Sequence, residues 1–362
     1  MNIAFFGSSL VSAYWNGAAT YYRGLLRALS RRGHAITFYE PDAFERQSHR
    51  DIADPEWARV VVYAASETGV GEALDDARGT DIIVKASGVG VFDDLLAEAV
   101  LDTRRPGALA VYWDVDAPAT LDLLRRETET PLAALIPHYD LVFTYGGGDR
   151  VVAEYLSHGA RACTPIYNAL DPETHFPVPA QARFAADLSF VGNRLPDREA
   201  RVAAFFFEAA RLSPERRFLL GGNGWQDCAL PANVDAIGHV YTGDHNALNC
   251  SALAVLNINR ESMADFGFSP PTRVFEAAGA GACLITDAWP GIEFFLEPEE
   301  EVLIAKDGAE IAALLAALTP ERARRIGARA RRRILAGHTY EERARIVEET
   351  LTGTTVAPGK VA

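Results

Sequence analysis

The residues whose types and spacing best suit chemistry lie between Asn257 and Asp287, in the stretch NINRESMADFGFSPPTRVFEAAGAGACLITD. Thr272 to Ala278 is helical in pattern, with Ser269 as the expected N-cap and Pro270 and Pro271 suited to the first turn. A helix start carries N–H groups without intrahelical partners and a partial positive charge, which together suit a phosphate or pyrophosphate. Arg260 and Arg273 flank this start and can add charge-assisted hydrogen bonds. Glu276 follows Thr272 by four residues and Arg273 by three, so all three share one broad face, with Glu276 about 5–6 Å deeper. A ribose attached to a phosphate at the helix end would meet that carboxylate, which can accept bonds from two hydroxyls. An ordinary capped amphipathic helix, its Arg273 and Glu276 solvated or paired with each other, produces the same pattern.

The other candidates lie in the first half. Asp114 and Asp116 form a D-x-D pair that can hold a divalent ion, or offer one carboxylate as a general base toward a hydroxyl. Capping of the next helix by one of them, with the other solvated, is the alternative. Asn16-Gly17 opens a run of small residues that can let backbone approach a ligand or merely close a turn, without the spacing of a dinucleotide loop. Ser87, and Tyr145 before three glycines, stand at the ends of apolar runs.

These residues need strands and helices to carry them. Asn2–Phe6, a helix over Tyr21–Arg32 and Ala35–Tyr39 read as a strand–helix–strand unit that starts a parallel sheet. Asp81–Ala86, Leu109–Trp113, Asp140–Thr144 and Ala162–Tyr167 continue it, and no element is assigned within 40–79. Loops 8–20, 87–90, 114–118 and 145–148 emerge at the carboxyl ends of the strands, where open parallel sheets bind ligands. A Pro- and Ala-rich passage near 178–186 marks a boundary, after which strands at Asp187–Val191, Phe218–Leu220, Val234–Ile237 and Ala252–Ile258 restart the rhythm. Arg198–Arg211 reads as one helix with Phe205, Phe206 and Phe207 toward the core. Helices over 309–318, 320–336 and 340–351 close the chain, with a frayed tail at 353–362.

At 362 residues the chain is comfortable for two cores, and its mean hydropathy near zero is that of a globular protein. A net charge of −14 argues against a general nucleic-acid or anionic-membrane binder, so the arginines of 322–333 read as a solvated helix face. No apolar run approaches the ~20 residues that span a bilayer, and the N-terminus lacks a basic leader. The four cysteines are widely spaced, which fits reduced thiols in a cytoplasm and implies no zinc site.

Two successive α/β halves with a phosphate-type helix start in the second resemble GT-B glycosyltransferases: two Rossmann-like, doubly wound domains facing each other across a cleft. Asn168 to Pro177 resembles that superfamily's inter-domain signature, with Ala169 and Leu170 in place of Gly-Val. The phrases around Arg260, Thr272-Arg273-x-Phe275-Glu276 and His338-Thr339-Tyr340 are similar to CgeB-type, spore-maturation-like proteins, as are Trp113-Asp114-x-Asp116-x-Pro118 and Thr144 to Gly148. The resemblance implies an acceptor domain over 1–172, joined by a last helix at 339–352, and a donor domain over 173–338. It implies a metal-independent transfer from a nucleoside-diphosphate sugar, of UDP or dTDP type, to a small-molecule or glycan hydroxyl, with no cofactor.

By the same resemblance Glu276 takes the ribose, Ser269 and Thr272 face the diphosphate, and Arg260 and Arg194 neutralise it. Gly192 and Asn193 let the phosphate approach, and His239 and Val240 line the base. Asp114 or Asp116 would be the base of an inverting reaction, with Asn16, Gly17, Ser87 and Tyr145 around the acceptor. Phe268 stands where retaining relatives carry the first Glu of Glu-x7-Glu. A sugar-nucleotide epimerase on the same scaffold, or a non-catalytic nucleotide-sugar-binding or coat protein, are the alternatives.

Overall fold

The computed structural model describes residues 1–126 and 130–355. The chain divides into two compact units, Met1–Asn168 joined by the segment from Tyr340, and Ala169–Thr339.

In the first unit β1 (Asn2–Phe6), β2 (Ala35–Asp42), β3 (Arg59–Ala64), β4 (Ile82–Ala86), β5 (Leu109–Asp114), β6 (Leu141–Thr144) and β7 (Cys163–Pro165) form one sheet. Its order is β3-β2-β1-β4-β5-β6-β7 and every pairing is parallel. Central strands of a sheet covered on both faces have no polar side, which is why β1 and β5 read as continuous apolar runs. Lys85 is tolerated inside β4 because its Nζ meets Asp93 Oδ1 at 2.6 Å. The sequence reading has no strand at 59–64; β3 is an edge strand, largely exposed, so neither face supplies a clean apolar signal.

The helix Tyr340–Thr355 lies along the helix Ala19–Arg31. A Cβ on Gly24 would sit 2.1 Å from the Tyr340 ring, and Arg32 pairs with Glu341 and Glu348. This helix runs through Thr355, beyond the expected start of the tail; the rest of the expected tail, 356–362, lies outside the described residues.

In the second unit β8 (Ala186–Val191), β9 (Phe218–Gly221), β10 (Val234–Gly238), β11 (Ala252–Asn257), β12 (Leu284–Asp287) and β13 (Leu303–Ala305) form a parallel sheet ordered β10-β9-β8-β11-β12-β13. Numbered from its own first strand, the second unit reads 3-2-1-4-5-6, the doubly wound order, and the first reads the same with a seventh strand added after the sixth. The order in which strands are added across the sheet reverses between β1 and β4, and between β8 and β11, and ligands bind beyond such switch points.

The expected helix 198–211 is interrupted. Pro196–Val202 and Glu208–Leu212 are α-helical, and Ala203–Phe207 between them is a π turn. The wider turn changes which residues face inward, and all three phenylalanines are buried. The Arg-rich helix Pro320–Gly337 is an ion-paired surface: Arg322 meets Glu299, Arg329 meets Glu300 and Arg333 meets Glu301. Arg331 also donates to the Gly279 carbonyl at 3.1 Å and so satisfies the end of the helix Thr272–Gly279.

Candidate functional site

The loops after β8, β9 and β11 and the helix Thr272–Gly279 meet at the switch point of the second sheet. Asn193 Oδ1 accepts from the Asn223 amide at 2.9 Å, and the Arg194 amide donates to Asn223 O at 2.9 Å, which zips the first two loops together. Trp225 Nε1 donates to the Gly192 carbonyl at 2.7 Å. Gly222 has φ +119°, and a Cβ there would lie 2.2 Å from the Gly192 oxygen, so only glycine permits this approach. Arg194 pairs with Glu199 at 2.6 Å.

The Arg273 guanidinium donates to the Val191 carbonyl at the end of β8 and lies 5.9 Å from the centre of the Phe190 ring. Burial, with the Arg198 charge acting the same way, pushes Arg273 down to about 10 against the pull of Glu276. Arg198, whose Nη1 would be 3.1 Å from a Cβ on Gly192, adds a second cation at this loop. The expected capping by Ser269 is not found: its hydroxyl donates to the Gly267 carbonyl at 3.0 Å, and Pro271 is the N-cap residue. A proline at that position holds the extended φ and ψ a cap requires without a side-chain bond. Arg260 is the N-cap residue of the short helix Glu261–Phe266.

Glu276 is buried on this helix, one turn below its start. Burial raises its pKa, but His175, His245 and Arg273, with a hydrogen bond from Thr272, together outweigh it and hold the carboxyl below the ordinary range. Burial dominates at His245 and lowers its pKa, and its Nε2 lies 3.3 Å from the Val240 carbonyl. His175 Nε2 is 3.9 Å from Glu276 Oε1. The loop carrying His175 is tied down by Asn246, which donates to Thr174 O at 2.9 Å and accepts from the Phe176 amide at 3.2 Å. A Cβ on Gly279 would strike Leu170 at 2.3 Å and His175 O at 3.0 Å, so this glycine is needed for close packing.

A buried polar network shapes the loop after β11. Asp287, wholly buried, accepts from Arg201 Nη2 at 2.6 Å and from the Asn259 amide at 3.2 Å to each oxygen. Arg201 Nε also donates to Asn259 O at 3.0 Å, and Asn257 Nδ2 reaches Asn259 Oδ1 and Thr286 Oγ1, each at 3.0 Å. This fixes the backbone immediately before Arg260. Two expected base-lining residues stand differently: His239 is exposed with its ring 4.5 Å from Tyr241, whereas Val240 packs into the core with Leu219, Ala247 and Leu248.

In the first unit the structure revises the expected roles. Asp114 is wholly buried; Oδ1 accepts from Ser87 Oγ (2.8 Å), Thr120 Oγ1 (3.0 Å) and the Asp116 amide (2.9 Å), and Oδ2 accepts from Tyr155 at 2.5 Å. Burial raises its pKa in spite of those donors. A carboxylate so enclosed organises the loop and cannot meet an acceptor, which corrects its candidacy as a base. Ser87 is consumed by the same network, also accepting from the Val115 amide at 2.9 Å. Asn16 is buried too, donating to Ser9 O and Ser12 O at 2.9 and 3.0 Å and accepting from Ser8 at 2.9 Å, so its side chain staples its own loop. Gly17 is exposed with open space around it, and Asp116 and Tyr145 are half-buried.

The residues that sequence reasoning missed are His175, His245, Arg198, Asn223 and the Arg201–Asp287 pair. His175 and Asp287 lay within stretches already singled out, but no spacing connects His175 to Glu276, about a hundred residues away in the sequence.

Residues 198–349 match a family described as glycosyl transferase-like. No curated protein matches the sequence. Among solved structures, a sucrose-phosphate synthase from Thermosynechococcus elongatus is 16% identical with a TM-score of 0.72, over 99% of this chain and all of that one. The Anabaena protein HepE, in complex with UDP and glucose, is 16% identical with a TM-score of 0.69, over 98% of this chain and all of HepE. An alpha-glucosyltransferase in complex with UDP and a 13-mer DNA containing an HMU base is 12% identical, with a TM-score of 0.69 over 97% of this chain and 99% of that one. The likeness to these structures shows the fold, two Rossmann-like parallel-sheet units as in GT-B glycosyltransferases, and residues 198–349 are similar to the glycosyl transferase-like family. No helix among the described residues is long and apolar enough to cross a membrane.

Proposed function

We propose that the protein transfers a sugar from a nucleoside diphosphate, of UDP or dTDP type, to a hydroxyl of a small-molecule or glycan acceptor. The observation that carries this reading is Glu276, kept anionic one turn inside a helix whose start adjoins Arg273 and the zipped loops of β8 and β9. The diphosphate would lie against the amides of Thr272 and Arg273 and the glycine loop at 192–193, with arginines rather than a metal ion balancing its charge. As the bond to the anomeric carbon breaks, negative charge grows on the leaving phosphate oxygen, and fixed cations with a helix end stabilise it most in the transition state. Glu276 would accept both ribose hydroxyls.

The acceptor is assigned to the loops of the first unit around Gly17, Asp116 and Tyr145. In an inverting reaction Asp116 takes the acceptor's hydroxyl proton as that oxygen attacks the anomeric carbon; a retaining reaction demands no protein base. A net charge of −14 favours a glycan or small molecule over a nucleic acid such as the DNA in the alpha-glucosyltransferase complex. The Arg260, Thr272-to-Glu276 and His338-to-Tyr340 phrases support a place among the CgeB-type proteins, and four free thiols suit a cytoplasmic setting.

The test is calorimetric titration of UDP, dTDP, GDP, ADP and CDP with EDTA present. The reading expects micromolar binding of one or two of them and its loss in Glu276→Ala. A Glu276→Ala protein that binds as well as the wild type would refute the donor site. A second reading, donor binding without transfer, is favoured by Phe268, whose ring lies 2.6 Å from where a Gly291 Cβ would be and takes the place of an expected Glu. Tight donor binding with no turnover across an acceptor panel would select it.

A further inference from the structure

His175 Nε2 is buried and has no hydrogen-bond partner. Buried polar atoms nearly always have one, and an orphan calls for a water, an ion or a functional reason. Independently, one ligand atom each from His175, His245 and Glu276 lies within 4.8 Å of the other two. Donors bound tetrahedrally to zinc at about 2.0–2.2 Å stand roughly 3.4 Å apart. His175 Nε2 and Glu276 Oε1, at 3.9 Å, are near that separation already. Movements of about 1 Å in two side chains would close the set.

The three groups come from separate elements held in register: the 171–176 loop, the helix Thr242–Ser251 and the helix Thr272–Gly279. Asn246 bonds on both sides of His175, and the bare Gly279 lets that loop lie against the Glu276 helix. The imidazole of His245 also faces a backbone carbonyl, the usual outer partner that orients a metal-bound histidine. Two imidazoles and a carboxylate form the donor set of a zinc site with an open fourth position.

We propose that His175, His245 and Glu276 form a transition-metal site of the Zn²⁺ class, and that this site overlaps the ribose subsite. The overlap rests on the donor reading above. Glu276 cannot hold a metal and accept the ribose hydroxyls at full strength together, so metal and nucleotide exclude each other, and by linkage each weakens the other equally. The metal acts as an inhibitor of donor binding, not as a participant in transfer.

The experiment is titration of ZnCl₂ into the full chain freed of metal, with no nucleotide present, followed by UDP titrations with EDTA and with saturating Zn²⁺. One equivalent should bind, and His175→Ala and His245→Ala should each weaken it by more than about 100-fold, since losing only an outer partner costs 10–100-fold. Co²⁺ in place of Zn²⁺ should give a visible spectrum without thiolate charge-transfer bands, which excludes the cysteines as ligands. Zn²⁺ should weaken UDP binding to the wild type and leave it unchanged in His175→Ala. The melting temperature of that variant in EDTA reports whether its fold is intact, while His245→Ala offers a second route if it is not. Zinc affinity that survives both histidine substitutions, or a thiolate spectrum, overturns the metal site. Zinc binding that leaves UDP affinity untouched overturns the overlap alone. Failure of all five nucleoside diphosphates to bind in EDTA refutes the donor reading, a result distinguishable from either; if another of them binds in place of UDP, it takes the place of UDP in the competition.

Discussion

Replacing Arg201 by methionine should cost the second unit about 3 kcal/mol at neutral pH. Asp287 is wholly buried, and its nearest cation is the Arg201 guanidinium at 2.6 Å, itself 23% exposed. Removing one partner of a buried pair leaves a desolvated charge and costs about 3–5 kcal/mol, and the partial exposure of Arg201 puts this case at the lower end. The loss must depend on pH. Burial already raises the Asp287 pKa, with Arg201 acting to lower it. Such a carboxyl adds stability below its unfolded pKa, and that stability is lost as pH rises through the folded value. Without Arg201 the folded value rises further, so the cost of the substitution is full at pH 7 and shrinks as pH falls toward 4. Urea unfolding monitored by tryptophan emission, at pH 7 and at pH 4.5, measures it. Adding Asp287→Asn to Arg201→Met should recover much of the loss, because a neutral amide no longer demands a cation. A pH 7 loss below about 1 kcal/mol, or one independent of pH, would refute the buried-charge account. The Asn259 loop precedes Arg260, so the same variant should also bind UDP more weakly.

Gly222→Ala puts a Cβ 2.2 Å from the Gly192 oxygen at φ +119° and should abolish nucleotide binding while lowering the melting temperature, as calorimetry would record. Glu276→Gln exchanges charge-assisted bonds for neutral ones and should weaken UDP about 5- to 100-fold, a difference of roughly 1–3 kcal/mol. Its melting deficit should also be pH-dependent: the depressed carboxyl pKa gives stability that is present above the unfolded value and lost as pH falls through the folded one, so the deficit closes in acid. Asp114→Asn should lower thermal stability by disturbing the Ser87–Thr120–Tyr155 cluster, whereas Asp116→Asn should leave stability nearly unchanged and lower transfer; equal stability losses in both would contradict the division of roles. Gly24→Ala sets a methyl 2.1 Å from the Tyr340 ring and should loosen the Tyr340–Thr355 helix, read as faster hydrogen exchange there.

The alternation of apolar runs and helical patterns was enough to write down two parallel α/β units, because strands buried on both faces and amphipathic helices leave distinct periods in sequence. The strand β3 escaped, for an edge strand with exposed positions carries no such period, and the helices Glu67–Asp76 and Thr242–Ser251 were not assigned either. The helix around Glu276 was equally legible, since its boundaries and the positions of Arg273 and Glu276 on one face depend on near neighbours alone. What surrounds Glu276 was not. His175 and His245 reach it through the packing of a loop and a second helix, and their distances from it in the sequence carry no signal. The same limit explains the revised residues: Asp114, Ser87 and Asn16 have the chemistry of site residues, but only the packed structure decided that their polar atoms are spent on one another and on backbone. Local sequence determines which groups a turn of chain offers. Which of them remain available to a ligand is settled by the long-range contacts that claim the rest.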